Sequence, residues 1–202
     1  MAPNYVKLAL ALAISITQNA FASICAAPAK TLDFTHGDAR VSLSSPDRSW
    51  EFVSVGSPTW QYNAVLQLID RRTKRGWNIG SLGRDARAFW SPDSKEILLR
   101  DEYAADDMKL RVFNVMGPWP QEIHGLDRAI KRTVLSRIPN HDSTLWITYP
   151  EVCFSADKSS TILLTVDAPY APSLGGSGTD LRFRLTIDLT TLRVSDVSDS
   201  EK

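Results

Sequence analysis

Three short corners of similar chemistry punctuate this chain, and each is followed by a strand-like apolar run. They are Ser45-Pro46-Asp47-Arg48 ahead of Trp50–Val55, Ser91-Pro92-Asp93-Ser94-Lys95 ahead of Ile97-Leu98-Leu99, and Ser155-Ala156-Asp157-Lys158 ahead of Thr161–Val166. Proline presets φ for a reversal, and an aspartate can accept a hydrogen bond from the backbone two residues on. A corner that recurs between alternating apolar segments implies a stack of small antiparallel sheets.

Further strands are expected around each corner. Val65–Asp70 leads through the basic turn Arg71–Gly76 to a strand at Trp77–Gly80. Ala88-Phe89-Trp90 precedes the second corner, Glu96–Arg100 follows it, and Lys109–Val115 alternates like a half-buried strand. Leu181–Leu189 and Leu192-Arg193-Val194 close the third unit. The fold expected is mainly β: three consecutive antiparallel β-meander repeats, open and propeller-like, with one inserted helix. The chain divides into a leader at 1–22, one β-repeat domain at 30–197 with a helical insertion at about 117–140, and a polar tail at 198–202.

The order of strand, Ser-Pro-Asp corner, strand, loop and strand, with an aspartate ending the third strand, resembles the WD40-like β-propeller repeats of the PD40 type found in TolB-like proteins. Phe89–Lys95 with Leu98 carries the likeness best, joined by Leu66–Asp70 and Leu185–Leu189. Leu43-Ser44 stands in place of an aromatic before the first corner, and Ala156 in place of proline in the third. The resemblance implies a scaffold that holds protein partners, with repeat motifs that carry no catalysis. Three repeats cannot close a ring, because closed propellers need about four or more blades. An open meander is expected, with a ring completed by two chains or a two-sheet assembly as alternatives.

The first residues fit a secretory leader. Lys7 precedes the uncharged run Leu8–Ile16, and Ala20-Phe21-Ala22 forms a small-x-small cleavage pattern. The run is short for a bilayer span, and no second one follows, so no membrane span is expected in the mature chain. Periplasmic or secreted location follows. A lipid anchor at Cys25 is the weaker alternative, since Ile24 occupies a lipobox position that favours a small residue. Cys25 and Cys153 can pair in an oxidising compartment, or Cys153 can be an apolar strand residue. Twenty-three basic residues balance twenty-three acidic ones, so no overall field draws nucleic acid.

Met116-Gly117-Pro118-Trp119-Pro120 interrupts the strands, and a helix is expected from about Leu126 to Arg137, with Leu126, Ile130, Val134 and Ile138 on one face. Arg128, Lys131 and Arg132 lie on the remaining surface. This helix either caps a sheet edge or, with Trp119, meets an acidic partner. Trp60 and Tyr62 are candidates for sugar stacking, and together with Tyr170 they can form a protein-binding edge.

Catalytic patterns are missing from the sequence. Ser177 in Gly175-Gly176-Ser177-Gly178 lacks the glycine of a nucleophile elbow, and His36, His124 and His141 lack metal spacing. Asp101, Glu102, Asp106 and Asp107 read as a solvated acidic loop without EF-hand order. No phosphate-cradling glycine loop is present, and no cofactor is expected. The function expected is a non-catalytic exported scaffold binding another envelope or secreted protein. A periplasmic inhibitor or immunity protein is one alternative, and a carbohydrate- or peptidoglycan-binding module the other.

Overall fold

The alternation of apolar and polar residues resolves into twelve strands and one helix in a computed structural model that describes residues 25, 40–55, 64–82, 86–104, 107–138, 147–170 and 179–199. Sheet 1 holds β1 (Arg40–Ser44), β2 (Trp50–Val55), β3 (Ala64–Asp70) and β4 (Arg75–Leu82). Sheet 2 holds β5 (Ala86–Trp90), β6 (Glu96–Ala104), β7 (Asp107–Asn114) and the two-residue β8 (Gln121–Glu122). After helix α1 (Leu126–Leu135), sheet 3 holds β9 (Thr148–Phe154), β10 (Thr161–Tyr170), β11 (Thr179–Asp188) and β12 (Arg193–Asp199). Every sheet is an antiparallel meander of neighbours in sequence, and each Ser-x-Asp corner joins its first and second strands. No barrel closes among the described residues. The expected mainly-β fold of three meander repeats with one helix is the fold observed.

Sheet 2 is the middle layer, which explains its continuous apolar run. Successive strand residues point to opposite faces. Ile97 and Leu99 therefore enter one core with Phe52, Leu66, Leu68 and Trp90, packing sheet 1 against sheet 2. Leu98 enters the other with Tyr149, Phe154, Ile162, Leu164 and Leu185, packing sheet 2 against sheet 3. A strand buried on both faces loses its polar alternation. Buried polar contacts tie the layers: Arg100 Nη1 donates to Tyr149 O (2.9 Å) and Pro150 O (3.0 Å), joining sheets 2 and 3. Arg111 grips Glu122 with two hydrogen bonds of 2.9 Å and donates to Ile79 O at 2.8 Å, joining sheets 2 and 1.

Helix α1 buries Leu126, Ile130 and Val134, the seam expected from the i, i+4 spacing, in the core shared by sheets 2 and 3. Each such side chain contributes roughly 1.5–3 kcal/mol when fully buried. Asp127 in the first turn suits the positive end of the helix dipole. Its Oδ1 accepts from Tyr149 Oη at 3.0 Å and from the Leu110 backbone at 3.3 Å, pinning the helix to β9 and β7. Cys25 and Cys153 form a disulfide across 128 residues, and Cys25 pairs with Ser155 in an isolated bridge. Cys153 is therefore paired rather than a lone apolar strand residue, and it is buried on β9.

Several boundaries differ from the sequence expectation. The helix stops at Leu135, and Arg137 lies in the turn after it. The fourth strand begins at Arg75, inside the segment read as a turn. β12 continues to Asp199 because a register shift after Arg184 lets Ser198 and Asp199 pair with β11, so the tail is shorter than residues 198–202. β10 and β11 extend to the pair Tyr170 and Thr179. Asp101 and Glu102 belong to β6, and Asp101 is buried, so this part of the acidic segment is strand rather than solvated loop. The leader at 1–22 lies outside the described residues.

Candidate functional site

The strand directions bring the corners of all three sheets to one end of the molecule. Ser45 N–H bonds Trp50 O across the first corner and Ser91 N–H bonds Glu96 O across the second, each at five residues' separation. In both, the serine hydroxyl donates to the aspartate: Ser45 Oγ to Asp47 Oδ1 at 2.6 Å, and Ser91 Oγ to Asp93 Oδ1 at 2.8 Å. Backbone N–H groups two residues on, from Ser49 and Lys95, complete each turn. The corners also bond one another. Asp47 N–H donates to Ser94 Oγ at 3.0 Å, and Ser159 Oγ of the third corner donates to Asp93 Oδ2 at 2.7 Å.

An outer set of corners, between the third and fourth strands, lies at the same end. Asp70 Oδ1 accepts from Arg72 N–H and Asp188 Oδ1 from Thr190 N–H, each at 2.8 Å. Asn114 Oδ1 accepts from Met116 N–H at 2.9 Å, making the same turn with an amide. Backbone bonds from Arg71 to Ser49, Val115 to Lys95 and Leu189 to Ser160 join each outer corner to its inner neighbour. The result is one continuous corner face across three sheets.

Most corner carboxylates are committed to this structure. Burial alone would raise the pKa of Asp93, but hydrogen bonds from Ser159 and Ser91 with the Lys95 contacts outweigh it and bring it to about 2. Asp47 and Asp70 are likewise held below the usual carboxylate range, the hydrogen bonds of their turns overcoming a smaller loss of hydration than buried acids suffer. Asp188 is lowered by the Thr190 hydroxyl and the Thr191 backbone. Glu96 is the opposite case: burial first, then the charge of Asp93, raise its pKa. It is 7 % exposed, and its Oε2 has no hydrogen-bond partner among the described residues.

Asp157 corrects the sequence reading, which gave all three corner aspartates the same job. The third corner is one residue longer, Ser155 N–H bonding Thr161 O. The Asp157 backbone donates to Ser155 Oγ at 3.3 Å, and no hydrogen bond to its carboxylate is found among the described residues. Asp157 instead lines an open hollow of about 480 Å³ on sheet 3 with Lys158, Thr161, Thr186, Asp188 and Arg193.

The structure separates the other candidates. Trp119 stands 53 % exposed and Met116 65 % exposed in the loop between β7 and β8, on the corner face. Arg128 and Arg132 are exposed on α1 and Lys131 is half-buried, opposite or beside the packed seam. The chain from Met116 to Arg132 thus presents an apolar loop and then a cationic helix face. Trp60 and Tyr62 lie outside the described residues, as do His36, His141 and Ser177; Tyr170 ends β10. Trp90 is core, 4 % exposed, with its Nε1 donating to Leu43 O, and Trp50 packs against Trp77 with ring centroids 5.5 Å apart.

The sequence reading missed the outermost corner of sheet 1. Arg71, Arg72, Lys74 and Arg75 are all exposed there, beside the exposed Arg48 of the first corner. Their charge was visible in the sequence; the signal was four cations in five residues of an expected turn. No group of three or more metal-ligating side chains gathers among the described residues, and no described helix is long and apolar enough to cross a membrane. No protein-family model matches the chain, and no curated protein matches it significantly.

Proposed function

We propose that this chain is an exported, non-catalytic binding scaffold of the cell envelope, with propeller-like repeats of the PD40 kind, that acts through protein–protein contacts. The observation that carries the reading is the exposed pair Met116 and Trp119 on a loop stiffened by Pro118 and Pro120. Large exposed apolar side chains lose most when left in water, and tryptophan and arginine are the residues that anchor interfaces. A loop already restricted by two prolines gives up less freedom when it binds. The exposed Arg128 and Arg132 continue the surface along α1, with Lys131 at its border, and suit a partner with an acidic face. The disulfide is compatible with an oxidising compartment outside the cytoplasm.

Capture from envelope extract tests this. The intact protein is expected to retain a defined partner, and Trp119→Ala is expected to lower retention at least tenfold, as does joint reversal of Arg128, Lys131 and Arg132 to glutamate. Equal retention by all three proteins rejects the contact surface. An inhibitor of an envelope enzyme is the same scaffold with a particular partner, and it differs by lowering that enzyme's turnover on binding.

A second reading, a glycan- or peptidoglycan-binding module, draws on the hydroxyls of Thr161, Thr186 and Ser195 that line the hollow on sheet 3. Retention on insoluble peptidoglycan that Thr186→Val weakens favours it; absence of retention removes it.

A further inference from the structure

We infer that the corner of sheet 1 formed by Arg48 and Arg71–Arg75 is a docking site for the clustered phosphate groups of an anionic bilayer surface. This goes beyond the protein-contact reading and concerns a different corner from Trp119. Residues 71–76 are exposed without interruption, and five cations stand among residues 48 and 70–76. Backbone bonding of Arg71 to Ser49 holds Arg48 beside the other four. Asp47 and Asp70, the nearby carboxylates, are turned into their own turns by hydrogen bonds from Ser45, Ser49, Arg72 and Thr73. Among the described residues only Arg72 forms an ion pair with one of them, at 3.9 Å, and it remains 85 % exposed. Arg75 lies over the Trp77 ring at 5.5 Å from the centroid, which limits its directions without neutralising it.

The backbone fixes the positions of two of these cations. Arg48 has φ 63° and Lys74 φ 61°, the left-handed region that glycine or asparagine occupies most cheaply. Ser94 and Leu192 take the same region at the matching corners, φ 64° and 53°, so this backbone belongs to the corners themselves and fixes where Arg48 and Lys74 leave the chain.

Shape selects the occupant. The tip is a hairpin end whose residues 71–76 are all exposed, and none of them lines the hollow on sheet 3. A small discrete ligand needs walls on several sides, whereas exposed cations on a hairpin tip suit a surface whose phosphates rearrange beneath them. Guanidinium groups add paired donors for phosphate oxygens.

The test is sedimentation of the full protein with vesicles of phosphatidylcholine alone and of phosphatidylcholine with phosphatidylglycerol. Binding is expected only to the second, weakening as salt rises from about 0.05 M to about 0.5 M. Each cation removed is expected to lower partitioning roughly fivefold, so joint Arg71→Ser, Arg72→Ser, Lys74→Ser and Arg75→Ser lowers it by several hundred-fold. Lys74→Gly separates charge from folding: binding falls about fivefold while the melting temperature holds or rises. No binding, equal binding to both vesicles, or undiminished binding by the quadruple variant overturns the proposal. Binding of free pyrophosphate without vesicle binding also overturns it, since it marks a soluble ligand instead. A Lys74→Gly protein that loses stability and binding together overturns the assignment of the effect to charge.

Discussion

The inner corner of sheet 2 and that of sheet 3 carry a serine and an aspartate at the same spacing, yet one residue of loop length separates their chemistry. In sheet 2, Asp93 collects hydrogen bonds from Ser91, Lys95 and Ser159 and an ammonium at 3.1 Å. In sheet 3, Asp157 has moved off the turn, and Ser159 reaches out to the neighbouring sheet instead. Sheet 2 is braced through its corner. Sheet 3 shares its core and its helix with sheet 2 and is braced in addition by the disulfide of Cys153. The spacing of a motif is therefore a weaker guide to a side chain's task than the length of loop the strands require.

Removing the disulfide should have the largest effect. It closes a loop of 128 residues, and its loss through Cys25→Ser with Cys153→Ala should cost about 3–5 kcal/mol in urea unfolding. The effect should fall on sheet 3 first, seen as faster amide exchange in β9 and β10 than in β6. Uniform exchange across all three sheets would break the comparison.

Next comes Asp93→Ala, expected to cost about 2 kcal/mol because it leaves the Ser91 and Ser159 hydroxyls without their acceptor and Lys95 without its carboxylate. Acidity should mimic it. The folded pKa of Asp93 is depressed to about 2, so its stabilisation is complete above the ordinary carboxylate value and disappears as pH falls from about 4 toward 2. Asp93→Asn should flatten that part of the stability profile.

Glu96 supplies a change of the opposite sign. A buried carboxyl with a raised pKa favours the folded state when protonated, so stability falls as pH climbs through its folded pKa. Glu96→Gln should therefore stabilise by about 1 kcal/mol at pH 7 and by nothing near pH 3. A gain that persists at pH 3 would point to packing rather than charge. Asp157→Ala should be the smallest, within about 0.5 kcal/mol, and a larger loss would mean that the third corner resembles the second after all.

Much of this architecture was legible because local rules governed it. Pro46, Pro92 and their aspartates marked the corners, strand alternation marked β7 and β11, and Leu126, Ile130 and Val134 marked the buried side of α1. What was hidden depended on register. The pairing of Leu68 with Trp77 brings Trp77 to Trp50, and no spacing in the sequence reports it. The pairing of Phe154 with Ile162 lengthens the third corner although Ala156-Asp157 aligns with Pro46-Asp47. Asn114 is hidden from the pattern because an amide takes the place of the expected aspartate. The basic tip at Arg71–Arg75 is legible as a turn, although Arg75 already begins β4; its exposure beside Arg48 shows the charge gathered on one corner. Trp119 was legible as an interruption, and its exposure needed the structure.

The central claim is that corners belonging to separate sheets meet on one face and hold one another. A double-mutant cycle between Asp93→Asn and Ser159→Ala measures that meeting directly, since the two residues lie 66 positions apart in sequence and bond at 2.7 Å. A coupling energy of about 0.5–2 kcal/mol is expected. Additive effects, with no coupling, would contradict a shared corner face.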